Sequence, residues 1–121
     1  MNLLTSLIRR FEINLQQVTA SIGLTAHAGG GQANALQLAD TFNTVATVAT
    51  TADSVKIPNV GLGPVYAWVI NNGANSLNVF PQTGGNLGAG VNTAVAVAAG
   101  KRTLFYSTQT NVWLVVGVFG S

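Results

Sequence analysis

Most of this chain alternates apolar and polar positions with a period of two. In the segment SLNVFP, Leu77, Val79 and Pro81 point to one side while Asn78 and Phe80 point to the other, as in a half-buried strand. Segments of this kind recur at intervals of roughly 8–12 residues, between clusters of Gly and Asn. The pattern predicts eight strands, over residues 35–38, 43–48, 54–57, 65–71, 76–80, 93–98, 102–107 and 112–118.

The segments between the predicted strands carry turn-forming residues. Asn72-Gly73 is a dipeptide typical of tight hairpins, and the sequence around Gly100 predicts another sharp reversal. The last predicted strand, NVWLVVGVF, is nearly continuous in apolar residues, which predicts a central strand covered on both faces. Together these features predict an all-β fold, namely a compact antiparallel β-sandwich or a jelly-roll-like barrel.

The first twenty residues follow a different pattern. Apolar residues are spaced four, three, four and three apart, which is a heptad stripe over about two heptads; they are Leu4, Ile8, Phe11, Leu15 and Val18. A second pattern competes with it, because Phe11, Ile13 and Leu15 alternate with polar residues as a strand would. Residues 1–20 are therefore predicted to form an N-terminal arm, either a short helix or an extended segment, that packs on a neighbour or on the domain's own core.

Three consecutive glycines follow this arm, in the segment SIGLTAHAGGGQANA. Glycine permits backbone angles that are closed to other residues and stiffens nothing. We therefore predict three regions: an arm over residues 1–20, a Gly-rich connector over residues 21–34, and a β-sandwich body over residues 35–121. Because the chain begins with Met and is one domain long, we expect it to be complete.

Charge is scarce along the whole chain. Charged residues make up 7% of it, against about 25% in ordinary soluble domains. The net charge of +2 rests on few cations, with basic pairs only at Arg9-Arg10 and Lys101-Arg102. Duplex binding usually needs about 6–10 phosphate contacts, so nucleic acid is excluded as a partner. Asn, Thr, Ser and Gln are therefore expected to form the hydrogen bonds between the surface and water. Apolar strand faces are expected to be buried against other copies of the chain.

The sequence lacks the residues and segments that disulfides, thiolate metal sites and membrane spans require. The chain has no Cys, which excludes disulfides and thiolate metal sites. No apolar run approaches about 18 residues, and the N-terminus lacks a secretory pattern, so no membrane partner is predicted.

Catalytic groups are equally sparse. The single histidine, His27, lies in the connector, and the acids are Glu12, Asp40 and Asp53. None forms a recognisable catalytic or metal-binding motif with His27, and Asp53 is interpreted as a turn residue before a strand. We expect no enzyme, no cofactor and no metal. Five aromatic residues are interpreted as core, with a sugar platform as the alternative; they are Tyr66, Trp68, Phe105, Tyr106 and Trp113.

Several phrases of the sequence resemble small β-structured virion proteins of tailed bacteriophages. They are LTAHAGGGQANALQL, TVATVATTADSVKIP, INNGANSLNVFPQTGGNLGAGVNTAVAVAAGK and YSTQTNVWLV, which span residues 24–116. Such modules serve as capsid decoration (cement) proteins or as parts of head and tail fibres, and they are usually trimeric. The resemblance implies a compact β-sandwich or jelly-roll-like body and carries over no catalytic residue.

The resemblance predicts a homotrimeric decoration protein, made in the host cytoplasm, that binds the major capsid protein on the outside of the head. Leu4, Ile8, Arg9, Arg10 and Phe11 are our candidates for capsid attachment.

For the trimer interface the candidates are Val95 and Val97 with their alanine neighbours. A head or tail fibre component that recognises a host glycan is the alternative, with contacts from Tyr66, Trp68 or residues 82–91. A lectin-like protein acting free of any particle is a third hypothesis.

Overall fold

The computed structural model describes residues 18–29, 31–59 and 65–120. It contains nine strands and one short 3-10 helix, Gln32–Asn34. The strands are β1 (Ala20–Thr25), β2 (Leu36–Gln37), β3 (Phe42–Thr47), β4 (Ser54–Lys56), β5 (Tyr66–Asn71), β6 (Leu77–Phe80), β7 (Val95–Val97), β8 (Arg102–Gln109) and β9 (Val112–Phe119). All eight strands predicted from the sequence are present, with shifts of one or two residues at most of their ends.

The strands form two mixed sheets. The five-stranded sheet has the order β1-β3-β5-β8-β9, and the four-stranded sheet has the order β2-β4-β6-β7. The first strands of each sheet are parallel, whereas β8 and β9 in one sheet and β7 in the other are antiparallel to their neighbours. The fold is therefore β-rich as predicted, but the prediction of purely antiparallel pairing is wrong.

Successive strands alternate between the two sheets. From β1 to β6 the chain crosses to the other sheet after every strand and returns one position further along, beside a parallel neighbour. The described chain thus winds through three turns, as in a short β-solenoid, and β7, β8 and β9 then close the end of the stack. Each turn contributes one strand to each sheet, so that side chains at equivalent positions are stacked.

One apolar core lies between the two sheets. Val45, Val69 and Phe105 point into it from the five-stranded sheet, and Val55 and Val79 meet them from the four-stranded sheet, all 0% exposed. Alternation along β5 and β6 places every second residue inside, as the sequence predicted for Leu77, Val79 and Pro81. Each sheet therefore has an inner face buried against the other sheet and an outer face directed away from it.

Two buried asparagines hold the ends of the strands. The Asn71 side chain donates from Nδ2 to the carbonyls of Asn75 and Val97, at 2.8 and 2.9 Å, and its Oδ1 accepts from the Gly73 amide at 2.9 Å. Asn43 likewise bonds both backbone groups of Asp40 and reaches a neighbouring strand. Both amides are 0% exposed and fully used, so their burial is compensated by hydrogen bonds.

Three sequence expectations need correction. The predicted hairpin at Asn72-Gly73 is a crossing between sheets, because β5 and β6 belong to different sheets. Part of the connector predicted over residues 21–34 is strand β1, which pairs with β3. Its alternation is interrupted at Gly23, where φ is +76° and the register shifts. Finally, β9 is an edge strand and not a central one, because β8 is its one partner among the described strands, apart from an isolated bridge between Val112 and Asn86.

Candidate functional site

The outer face of the five-stranded sheet is the main apolar surface of the described residues. Alternation and burial place residues 42, 66, 68, 70, 104, 106, 114 and 119 on this face. They include four of the largest side chains in the chain, at Phe42, Trp68, Tyr106 and Phe119. The outer face is defined here as this set together with Ile22 at the β1 edge, where 82% of the side chain is exposed.

Strand register arranges the outer face in rows. Tyr66 lies opposite Tyr106, which in turn lies opposite Leu114. A second row runs from Phe42 through Trp68 to Leu104. Because directly opposite side chains in neighbouring strands lie about 4.5–5.5 Å apart, each row is a continuous apolar band across the sheet.

An aromatic pair closes one end of this surface. The rings of Trp68 and Phe119 are 5.5 Å apart between centroids and tilted by 55°. Gly117 makes the contact possible, since a Cβ atom there would lie 2.8 Å from the Phe119 ring. The ring therefore folds back over the glycine and reaches across β8, which extends the apolar surface to the edge of the sheet.

Strand β9 exposes apolar side chains in both directions. Leu114 and Phe119 point to the outer face and are 42% and 44% exposed, whereas Val115 and Val118 point to the core side and are 37% and 58% exposed. Val116 is the extra residue of a bulge between the pairs Leu104–Gly117 and Phe105–Val115. Along the other edge of β9 the described residues place no strand, and only its start is bridged there, by the loop residue Asn86. The sequence signal for this edge was the long apolar run, which is equally typical of a central strand.

Formal charge is nearly absent from this surface. Arg102 on β8 is the one charged residue among the outward positions of the described strands of the five-stranded sheet. The neighbouring Lys101 is engaged through Nζ with the Gly120 carbonyl, at 2.8 Å. Neither Asp40, whose carboxylate accepts from the Ser21 hydroxyl, nor Asp53, which is buried, lies on it. The outer face is therefore apolar and nearly uncharged.

The chain's histidine, an aspartate and a serine come close together without forming a catalytic arrangement. His27 and Ser54 exchange two backbone hydrogen bonds of 3.0 Å, and Asp53 directly precedes the serine. The Asp53 carboxylate, however, is occupied by the Thr50 hydroxyl and by the amides of Ala49, Thr50 and Gly29. The Ser54 hydroxyl is buried without a hydrogen-bond partner. The Asp53 carboxylate is therefore engaged by the turn that precedes β4, as the sequence predicted for Asp53.

Hydrogen bonding keeps Asp53 ionised. The Thr50 hydroxyl is the main cause that lowers the pKa of this carboxyl below its ordinary value of 3.8, and the backbone amides add to the effect while burial opposes it.

Across residues 18–29, 31–59 and 65–120, no group of three or more His, Asp or Glu side chains could hold a metal ion. No helix within the same residues is long and apolar enough to cross a bilayer.

The predicted site residues have different outcomes. Leu4, Ile8, Arg9, Arg10 and Phe11 lie outside the described residues. Val97 is 1% exposed and belongs to the chain's own core, so its assignment to a trimer interface is corrected. Val95 packs partly against the same core and retains some exposure.

The aromatic residues divide between the two sides of the sheet. Phe105 and Trp113 are core residues, as predicted. Tyr66 and Trp68 are half-buried on the outer face, and Tyr106 is 47% exposed there, so the core interpretation is wrong for Tyr106. Alternation along β5 and β8 causes the division, because adjacent residues of a strand point to opposite faces.

Comparison of this chain with protein-family models, with curated proteins and with solved structures found no match.

Proposed function

We propose that this chain is a structural protein of a tailed-bacteriophage virion, a homotrimeric decoration protein that binds the major capsid protein on the outside of the head. In this proposal the two sheets form the layers of a sandwich-like body. The chain performs no reaction and stabilises the shell by adhering to it in many copies.

The observation that carries this proposal is the large, nearly uncharged outer face that ends at the edge strand β9, a surface suited to burial in an assembly of many chains. Exposed apolar patches of several hundred Å² mark interaction surfaces in soluble proteins. The resemblance of residues 24–116 to phage virion modules supplies the kind of assembly. Many copies on one lattice turn individually modest contacts into a large total affinity.

The polar contacts within the described residues also support a role in a particle outside the cell, because most of them are hydrogen bonds of neutral side chains. The described polar network uses asparagine and glutamine amides, such as Gln82 Nε2, which donates to the Gln37 side chain and the Ile57 carbonyl, each at 2.8 Å. Exposed ion pairs weaken as ionic strength rises, whereas neutral hydrogen bonds do not depend on it in this way. The fold of each chain is therefore expected to keep its stability over a wide range of salt concentrations.

The test is binding of the purified chain to undecorated heads of the phage that encodes it, followed by sedimentation and electron microscopy. We expect regular density on the outer surface and a copy number that matches the capsid lattice. A variant without residues 1–17 separates arm from body, because it keeps β1 intact. It should fold normally and occupy fewer sites. Bare heads at saturating protein would refute the proposed function.

A fibre component that recognises a host glycan is the second candidate. The half-buried Tyr66 and Trp68 on the outer face favour it, since exposed aromatic rings are common sugar platforms. Copy number distinguishes the two: a handful of chains per particle, together with loss of glycan binding in Trp68→Ala, would favour the fibre.

A further inference from the structure

We propose that the outer face of the five-stranded sheet, together with β9, is where copies of this chain meet in the homotrimer. The inference rests on the proposed function for the number of copies, and it replaces the interface predicted at Val95 and Val97. The occupant of the surface is a second copy of the same chain.

Strand β9 is an edge that proteins normally protect. It is eight residues long, and its sequence VWLVVGVF contains no Lys, Pro or other charged or edge-breaking side chain. Soluble proteins block such edges with charges, prolines or covering segments, because a free apolar edge recruits other strands. Among the described residues, two features protect this edge: the bulge at Val116 and, at the start of the strand, the loop residue Asn86, whose carbonyl accepts from the Trp113 amide at 2.8 Å. From Leu114 onward the edge is open. The edge is therefore suited to being covered in the assembled protein.

Charge points to a copy of the same chain as the occupant. Arg102 is the only charged residue among the outward positions of the described strands of the five-stranded sheet, so the surface does not specify an acidic or a basic partner. Two uncharged patches on neighbouring subunits can approach each other with little like-charge repulsion, and Arg102 lies beside Phe119 in the register, near the margin of the sheet. An uncharged apolar patch on one subunit can therefore pack against a different uncharged apolar patch on the next.

The size of the surface is adequate for a subunit contact. Its strands are six to eight residues long. With strands about 4.8 Å apart and about 3.3 Å per residue, five of them cover roughly 550 Å² in projection. Side-chain relief increases the accessible area beyond this figure. Stable interfaces bury about 800 Å² per partner, which is the same order.

Exposed apolar side chains on both sides of β9 fit a three-membered ring better than a two-fold dimer. A two-fold dimer uses one patch on both subunits, whereas each subunit of a three-membered ring contributes two different patches. Leu114 and Phe119 supply an apolar patch on the outer side of β9, and Val115 and Val118 supply another on its core side. In the ring, one neighbour covers the outer side and the other neighbour covers the core side.

Light scattering on the full chain and on single arginine variants tests this contact. Leu114→Arg alters the outer side, Val118→Arg alters the core side, and Val91→Arg is the matched control. Val91 is 62% exposed, similar to the 58% of Val118, but it lies in the loop between β6 and β7. We expect the wild type and the control at three times the chain mass of 12.4 kDa, and both β9 variants at a single chain mass with unchanged circular dichroism.

Melting at several concentrations keeps the test decisive if an arginine variant fails to fold. Assembly makes the melting temperature of the wild type rise with chain concentration. A wild type with the mass of one chain and a concentration-independent melting temperature would overturn the inference, as would trimers that survive both β9 substitutions. A stable two-chain mass would overturn the ring. Trimers that leave capsids bare would refute the proposed capsid binding alone. Single chains that decorate capsids would refute the contact and the trimer but not the capsid binding.

Discussion

Replacing Asn71 by Ala tests whether a buried amide ties the two sheets together. Asn71 ends β5 in one sheet, and its Nδ2 reaches the Val97 carbonyl on β7 in the other, at 2.9 Å. The same side chain holds the crossing to β6 through Gly73 and Asn75. Removing it breaks three hydrogen bonds and leaves the Val97 carbonyl buried without this partner.

The magnitude follows from the burial of each bond. An orphaned group in a fully buried site costs about 1–3 kcal/mol, and each of the two partly buried bonds contributes about 0.5–1.5 kcal/mol net. We expect Asn71→Ala to lower the free energy of unfolding by about 2–6 kcal/mol, a large part of the stability of a small domain. The adjacent Asn72 is exposed, so Asn72→Ala should cost less than about 0.5 kcal/mol.

Urea unfolding followed by tryptophan fluorescence measures both variants, because Trp113 is buried in the core and reports its exposure to water. All proteins are compared at one chain concentration, so that assembly contributes equally. The reasoning is refuted if Asn71→Ala and Asn72→Ala unfold at the same urea concentration. It is also refuted if Asn71→Ala loses less than about 0.5 kcal/mol.

Two further predictions concern close packing and pH. A Cβ atom on Gly73 would lie 2.7 Å from the Val48 backbone nitrogen, so Gly73→Ala should cost about 1–3 kcal/mol in urea unfolding. Gly31→Ala, with nothing within 4 Å, should leave stability nearly unchanged; equal effects would contradict the steric argument. Hydrogen bonding from Thr50 lowers the pKa of Asp53 below 3.8, so the stability that its ionised form adds is present above pH 3.8 and disappears as pH falls through the lowered pKa. The difference in melting temperature between wild type and Asp53→Asn should therefore shrink below pH 3.8, and a constant difference would contradict it.

Local sequence signals located most strands but not their partners. Alternation of neighbouring residues correctly predicts the positions of β5 and β6. The Asn72-Gly73 dipeptide correctly predicts the break between them. Pairing depends on where the chain returns after it has crossed to the other sheet and back. This return brings Phe42 on β3 beside Trp68 on β5. A turn dipeptide carries no information about which sheet the next strand joins, so a hairpin was predicted where the chain crosses between sheets.

The candidate surface was harder to predict for a related reason. An apolar run such as that of β9 has the same sequence whether it is covered by its own domain or by another molecule. Only the sheet order shows that β9 lies at an edge with Leu114 and Val118 exposed. Strand β1 was missed because Gly23 breaks its alternation, which made a strand resemble a connector.

The winding connectivity also determines the order in which this chain can fold. Parallel pairs join residues a full turn apart, such as Ala20 with Phe42, and closing such loops before any contact is gained makes folding slow. The β8–β9 pair is local, since only Thr110 and Asn111 separate the two strands, and hairpins of this kind close within about 1–10 μs. This quickest piece follows the winding turns along the chain and leaves the ribosome after them. A nascent chain must therefore wait, with its first turns unsecured, until β8 and β9 have been synthesised.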